Sequence, residues 1–147
     1  MMTKAILLHD QEEPIGSLKR ALERQPVQTI RVRACADALR MLDEDDAPCL
    51  VFTDLTVSDG SWADALRLTY QATRPLNLLV VSRLADVPLY IAAMESGAFD
   101  FMVPPFEDAD VAFVLRHALD DVARRSGAPK SLAASAGWRS GIDASPT

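Results

Sequence analysis

Five short apolar runs alternate along the chain with segments in which apolar residues recur at helical spacing. Each run is bounded by charged residues, proline or glycine, which is typical of a buried β-strand. The intervening segments place apolar residues three or four positions apart, which predicts amphipathic helices. The predicted strands lie at residues 5–9, 27–32, 50–53, 76–81 and 98–103. The predicted helices lie at residues 14–25, 36–43, 61–74, 87–96 and 108–125.

Strand followed by helix, five times over, predicts an α/β fold in which helices cover both faces of a parallel sheet. Five such units with right-handed crossovers favour the flavodoxin-like, doubly wound (βα)5 arrangement with strand order 2-1-3-4-5. In that order the first and third strands are neighbours. Asp10 and Asp54 follow these two strands, so we expect both residues at one edge of the sheet.

The third run is the centre of the prediction. Residues 50–53 are almost wholly apolar and end abruptly at Asp54, before a turn containing Asp59 and Gly60. Such a run is typical of a strand buried on both faces. A carboxylate at the carboxyl end of that strand lies where open α/β sheets bind their ligands. The alternative is that Asp54 only turns the chain.

The fourth predicted helix has clear boundaries. Asp86 is a good N-cap, and Gly97 suits the left-handed position that follows a helix. The apolar stripe of Tyr90, Ile91 and Met94 is expected to lie mostly in the core, with Tyr90 as a candidate for contact with a partner.

Composition narrows the class of protein. The chain has 147 residues and a formal net charge of −6, which fits one globular domain and argues against a nucleic-acid partner. No apolar run is long enough to span a membrane and no signal peptide is visible, so a cytoplasmic protein without a membrane partner is expected. Residues 126–147 are rich in serine, alanine, glycine and proline without periodicity, which predicts a flexible tail or linker.

Polar residues at the predicted strand ends suggest chemistry. Carboxylates that converge at a sheet edge repel one another, and a hard cation such as Mg²⁺ relieves that repulsion. A carboxylate beside such a cation can attack phosphorus as a nucleophile, and a neighbouring hydroxyl can donate to the resulting oxyanion. The strand-end residues are Asp10 with Gln11, Asp54, Ser82 with Arg83, and Phe101 before Pro104 and Pro105.

Taken in order, residues 4–125 resemble the receiver domain of two-component response regulators. The resemblance implies that Asp54 is the phosphoacceptor, that Ser82 is the switch hydroxyl and that Phe101 is the switch aromatic residue. Residues 92–101 also closely resemble the family's Ala-x-x-Ala-Gly-Ala-x-Asp-Tyr/Phe segment. The implied Mg²⁺ site consists of Asp10, Asp54, the backbone carbonyl of Thr56 and, as a weak ligand, Gln11.

Two departures from the family's pattern make the predicted site degenerate. Gln11 replaces an acidic residue, so the site loses a charge. Pro104 stands where the family has a lysine that contacts the aspartate and the phosphoryl group, and the Pro104–Pro105 bond is expected to be cis. Arg83 is a candidate substitute cation, because its guanidinium suits phosphate. The alternative is that Arg83 points into solvent or pairs with Asp86.

Two functions from different classes are compatible with these residues. The first is a receiver that accepts a phosphoryl group on Asp54 from a histidine kinase or a phosphotransfer protein. The second is a pseudo-receiver that acts as a protein-interaction scaffold without phosphorylation, which Gln11 and Pro104 favour. An enzyme is not expected. The resemblance also implies a downstream protein that binds the fourth helix, fifth strand and fifth helix, with a homodimer as a further candidate.

Overall fold

The computed structural model describes residues 2–127 of the chain. Most of the predicted tail at residues 126–147 lies outside the described residues. The described strands are β1 (Thr3–Leu8), β2 (Val27–Val32), β3 (Leu50–Thr53), β4 (Thr56–Val57), β5 (Gly60–Ser61), β6 (Asn77–Val81) and β7 (Asp100–Met102). The described helices are α1 (Ile15–Leu22), α2 (Cys35–Met41), α3 (Trp62–Gln71), α4 (Val87–Ser96) and α5 (Asp108–Arg125).

Five of the strands form one parallel sheet in the order β2-β1-β3-β6-β7. This confirms the predicted order 2-1-3-4-5, because β6 and β7 are the fourth and fifth strands of the large sheet. In the register, Leu8 pairs with Thr53 and Thr53 pairs with Val80. The carboxyl ends of β1, β3 and β6 therefore meet at one edge of the sheet.

Side chains alternate between two cores, one on each face of the sheet. On one face, Leu7, Phe52 and Leu79 pack with residues of α1 and α5. On the other face, Ile6 and Val51 pack with residues of α2, α3 and α4. All four residues of β3 are buried, as expected for a strand covered on both faces. The site at the strand ends thus rests on a rigid central strand.

The predicted boundaries of α4 are confirmed. The Asp86 carboxylate accepts a hydrogen bond from the Leu89 N–H at 3.0 Å, and Gly97 ends the helix with a φ of 110°. A positive φ of that size favours glycine because it lacks a Cβ atom. Two other helices are shorter than predicted, since α1 ends at Leu22 and α3 ends at Gln71.

Two features differ from the sequence prediction. The chain forms a small antiparallel hairpin, β4–β5, directly after Asp54, where only a turn was expected. In α4, the prediction that Tyr90 and Ile91 lie mostly in the core is wrong, because both are exposed. Only Ala93 of this helix is fully buried. Finally, no helix among residues 2–127 combines the length and hydrophobicity needed to cross a membrane.

Candidate functional site

A cleft opens at the carboxyl ends of the central strands. The Asp54 N–H donates to the Leu8 carbonyl at 3.0 Å, which holds the residue beside the end of β1. Ser82 follows β6, the other neighbour of β3, and so lies at the same edge. The cleft has a volume of about 400 Å³ and is lined by Gln11, Asp54, Leu55, Thr56, Ser82, Arg83, Leu84 and Asp86.

Asp54 is buried, with 8% of its surface exposed. Its Oδ1 accepts a hydrogen bond from the Leu55 N–H at 2.7 Å. Burial raises the pKa of the Asp54 carboxyl above its ordinary value, while the Leu55 N–H and the positive charge of Arg83 act in the opposite direction. The carboxylate is therefore partly desolvated, and it faces the cleft beside a cationic side chain.

Ser82 uses its hydroxyl within its own loop. The Oγ–H donates to the Leu84 carbonyl at 3.0 Å, and Oγ accepts from the Leu84 N–H at 3.3 Å. The backbone N–H of Ser82 donates to the Met102 carbonyl at 2.9 Å, which fixes the main chain next to β7. The hydroxyl lies at the cleft and would have to leave Leu84 to donate to a group on Asp54.

Phe101 is half-buried and does not line the main cleft. Its ring meets the Tyr90 ring edge to face, with the centroids 5.8 Å apart. Both rings line a separate apolar cavity of about 150 Å³ next to α4. The predicted switch aromatic residue thus lies between the strand edge and the exposed face of α4.

Arg83 crosses the mouth of the site. Its Nη2 donates to the Glu13 carbonyl at 2.8 Å, and its side chain lines the cleft together with Asp54. Arg83 is exposed to solvent, as one alternative predicted, and it forms no ion pair with Asp86 among the described residues. The Asp86 carboxylate instead caps α4.

Three of the four residues of the Mg²⁺ site that the resemblance implied, Gln11, Asp54 and Thr56, line the cleft. The Asp10 carboxylate lies 3.8 Å from Arg33 Nε and is not among the groups that line the cleft, while the cleft side chain from this loop is the neutral Gln11. Within residues 2–127, no group of three or more His, Cys, Asp or Glu side chains is placed to hold a metal ion. Asp54 is therefore the one carboxylate of the implied set that lines the cleft, whereas Mg²⁺ is usually held by one or two carboxylates together with retained waters.

His9, at the end of β1, is a core histidine whose two ring nitrogens both have hydrogen-bond partners. It is 2% exposed. Nδ1 donates to the Gln11 carbonyl at 2.7 Å, and Nε2 accepts from Arg31 Nε at 3.2 Å. Because arginine can only donate, Nε2 must be the acceptor and Nδ1 must carry the proton. These two bonds fix the loop that leads to the cleft.

Sequence analysis missed the structural role of Asp59. Its two carboxylate oxygens accept hydrogen bonds from the backbone N–H groups of Cys35 at 2.8 Å and of Ala36 at 3.2 Å. These bonds lower the pKa of the Asp59 carboxyl and cap α2 from a distant part of the chain. An aspartate before glycine signals a turn, but nothing in the sequence indicates which helix it would cap.

The segment after β7 agrees with the prediction in one respect. The Pro104–Pro105 bond is cis. Pro104 provides no cation, so among the residues that line the cleft Arg83 is the single positive side chain.

The chain is similar to transcriptional regulators among curated proteins. It is 27% identical over 109 residues to the transcriptional regulatory protein FixJ of Rhizobium meliloti, covering 74% of this chain and 53% of FixJ. It is 26% identical over 110 residues to the response regulator protein TmoT of Ectopseudomonas mendocina, covering 73% of this chain and 47% of TmoT. The chain thus spans about half the length of these relatives. No family model matches it.

Solved structures share the fold. A response regulator receiver domain protein from Clostridium thermocellum has a TM-score of 0.67 at 20% identity, covering 82% of this chain and 96% of that one. A CheY-like receiver domain protein from Methanospirillum hungatei has a TM-score of 0.67 at 17% identity, covering 84% and 98%. In sequence the chain is thus similar to these curated regulators, and in fold it is similar to response regulator receiver domains.

Proposed function

We propose that this receiver accepts a phosphoryl group on Asp54 from a histidine kinase or a phosphotransfer protein. The observation that carries the proposal is the position of Asp54 as a buried carboxylate at the end of the central strand, facing a cleft shared with Ser82 and Arg83. In the transfer, a carboxylate oxygen of Asp54 forms the new bond to phosphorus. The bond between phosphorus and the donor atom breaks, and the donor leaves with the bonding electron pair.

Signal output in this proposal follows from Ser82 and Phe101. A phosphoryl group on Asp54 offers strong acceptor oxygens near the Ser82 hydroxyl, which competes with the Leu84 carbonyl that the hydroxyl now contacts. Movement of Ser82 and its loop shifts the population of Phe101 positions next to Tyr90. The protein is a signalling module in this proposal and not an enzyme, and we place it in the cytoplasm.

We propose the face formed by α4, β7 and α5 as the output surface, with a second copy of the chain as its occupant. Leu84, Val87 and Ile91 are 75%, 65% and 46% exposed on the α4 side of this face. The exposed part of α5 carries charges of both signs, including Arg116 and Asp120. A surface with an apolar centre and mixed charges is self-complementary under two-fold symmetry. A separate downstream protein is the other occupant to be tested.

The test is covalent labelling of the full chain with acetyl phosphate, followed by intact mass measurement. We expect wild type to gain the mass of one phosphoryl group and Asp54→Asn to gain none. The asparagine can still accept the Leu55 N–H bond, so this variant is a matched control for folding. A folded wild-type chain that takes up no label would contradict the proposal and favour the pseudo-receiver scaffold.

A further inference from the structure

Of the three aspartates near the cleft, two have a guanidinium neighbour. Asp54 and Asp86 line the cleft with two negative charges, and Arg83 adds one positive charge. Asp10 lies beside Arg33, with 3.8 Å between Oδ1 and Nε. This second pair is exposed and contributes little stability by itself. Asp10 and Asp54 thus each have a guanidinium neighbour, which lowers the negative charge that would attract Mg²⁺.

Arg83 is held in place by one hydrogen bond and keeps its other donors. A guanidinium has five N–H donors. Among the hydrogen bonds of residues 2–127, Arg83 uses one of them, from Nη2 to the Glu13 carbonyl at 2.8 Å. The bond ties the end of β6 to the loop after β1. It leaves the remaining donors available for a group that enters the cleft.

Room remains between the guanidinium and the carboxylate. Arg83 and Asp54 both line the cleft of about 400 Å³, but they form no direct hydrogen bond among the described residues. A phosphoryl group bonded to Asp54 would enter this space with its oxygens near the guanidinium. The planar fork of arginine matches the geometry of a phosphoryl group in a bidentate manner.

The same arrangement disfavours a dication. Asp86, the other acidic residue at the cleft, caps α4 through the Leu89 N–H, and Gln11 brings no charge. A Mg²⁺ ion at Asp54 would have one carboxylate of the implied set as its ligand and would lie near the positive charge of Arg83. The guanidinium and the ion would therefore compete for the same carboxylate.

We propose that the Arg83 guanidinium takes the place of the divalent cation, so that phosphoryl transfer to Asp54 proceeds without Mg²⁺. This inference rests on the proposed function, since it concerns the same transfer. During the reaction Arg83 neutralises the charge that accumulates on the phosphoryl oxygens, which is the part that a metal ion or an arginine plays in other phosphoryl transfers. The Glu13 carbonyl is a positioning group that keeps Arg83 over the cleft.

The test measures the initial rate of labelling by acetyl phosphate in Mg²⁺ and in EDTA. We expect the wild-type chain to react at the same rate in both. Arg83→Gln should lower the rate in EDTA by about 10- to 100-fold, the factor that one charge-assisted hydrogen bond supplies. Arg67→Gln is the matched control, because Arg67 pairs with Asp64 on α3 and does not line the cleft. It should leave the rate unchanged.

Each outcome supports or contradicts transfer without Mg²⁺. Labelling of wild type that depends on Asp54 but requires Mg²⁺ would overturn the inference and leave the proposed function standing. An unchanged rate for Arg83→Gln in EDTA would do the same. Absence of labelling in every condition would overturn the proposed function and the inference with it. If Arg83→Gln does not fold, Arg83→Lys keeps the charge but loses the fork, and its rate in EDTA should fall between the other two.

Discussion

At the scale of single residues, the site depends on groups whose neighbours change their chemistry. Asp54 is buried and has a raised pKa, although the Leu55 N–H and Arg83 favour its ionised form. The Ser82 hydroxyl donates to the Leu84 carbonyl. A phosphoryl group would change both situations, because it converts the desolvated carboxylate into the acyl group of a mixed anhydride and offers new acceptor oxygens. Phosphorylation of Asp54 would therefore change the surroundings of Asp54 and the hydrogen bonding of Ser82.

The raised pKa of Asp54 has a consequence for stability. A carboxyl with a raised pKa in the folded state stabilises the fold below its unfolded pKa of about 3.9, and that contribution is lost as the pH rises through the folded pKa. We therefore expect Asp54→Asn to raise the melting temperature at neutral pH, and the gain should shrink as the pH falls. Thermal unfolding followed by circular dichroism checks this, with the exposed Asp120→Asn as control. A gain that grows in acid would contradict it.

At the scale of elements, the hairpin after β3 connects the site to α2. The Asp59 carboxylate caps α2, and the Ser58 N–H and hydroxyl both donate to the Arg33 carbonyl at 3.0 Å. These bonds therefore link the β4–β5 hairpin to the β2–α2 loop. Because Thr56 in this hairpin lines the cleft, the β2–α2 loop helps to position one wall of the site.

Removing the remote cap should weaken the fold modestly. We expect Asp59→Ala to lower the free energy of unfolding by about 1 kcal/mol, the usual effect of losing a helix cap. The lowered pKa of Asp59 means that its stabilisation is present above the unfolded pKa and is lost as the pH falls through the folded pKa. Urea unfolding at neutral and acidic pH measures both effects. The difference from wild type should narrow in acid, and a constant difference would count against this explanation.

The last helix is fastened to the sheet by a polar network. Asn77 at the start of β6 is 7% exposed, and its Nδ2 donates to the Ala118 carbonyl at 2.9 Å. Arg125 Nη2 donates to Asn77 Oδ1 at 2.6 Å, and Arg125 Nε donates to Asp121 at 2.9 Å. These bonds place the end of α5 against the edge of the sheet opposite the cleft.

Loss of this network should cost more than loss of a surface ion pair. Asn77→Ala removes the buried bond to the Ala118 carbonyl and the charge-assisted bond from Arg125, so we expect a destabilisation of about 1–3 kcal/mol. Arg124→Ala removes only an exposed bond to Asp121 and should cost less than about 1 kcal/mol. Urea unfolding of both variants makes the comparison. Equal losses would show that the Asn77 bonds are not the source of stability.

At the scale of the whole molecule, the sequence was sufficient for the fold and for the approximate location of the site. The strand order follows from the apolar runs, because each run must be buried and each crossover must be right-handed. Asp54 and Ser82 follow such runs and therefore had to lie at one sheet edge. The hairpin β4–β5 was missed since two-residue strands leave no periodic pattern.

Other features depend on tertiary contacts that local pattern does not contain. Arg83 and Glu13 are 70 positions apart, and the bond goes to a main-chain carbonyl, so no side chain marks it. Asp10 was expected in the site, but Arg33 lies beside it after the chain folds. In α4, apolar residues occur nearly all around the helix, and a pattern without a polar face does not reveal which side is exposed.

The exposed face of α4 leads to a prediction about assembly. If a second copy covers Leu84, Val87 and Ile91, then Ile91→Glu should weaken dimerisation by placing a charge in an apolar interface. The melting temperature of the monomer should hardly change, because Ile91 is already 46% exposed. Sedimentation of the chain after treatment with beryllofluoride measures the effect. Ala63→Glu, at an exposed residue of α3, is the control, and equal monomeric behaviour of all three chains would point to a separate downstream protein.

The bond between Arg83 and Glu13 also bears on how this site tolerates mutation. Its acceptor is a main-chain carbonyl, which every amino acid carries. Position 13 can therefore change over generations without releasing the guanidinium, while position 83 has no such freedom. Other receivers with a built-in cation should accordingly be sought by an arginine directly after the switch hydroxyl together with the loss of the lysine at the position of Pro104. The identity of the residue at position 13 should carry no information in such a search.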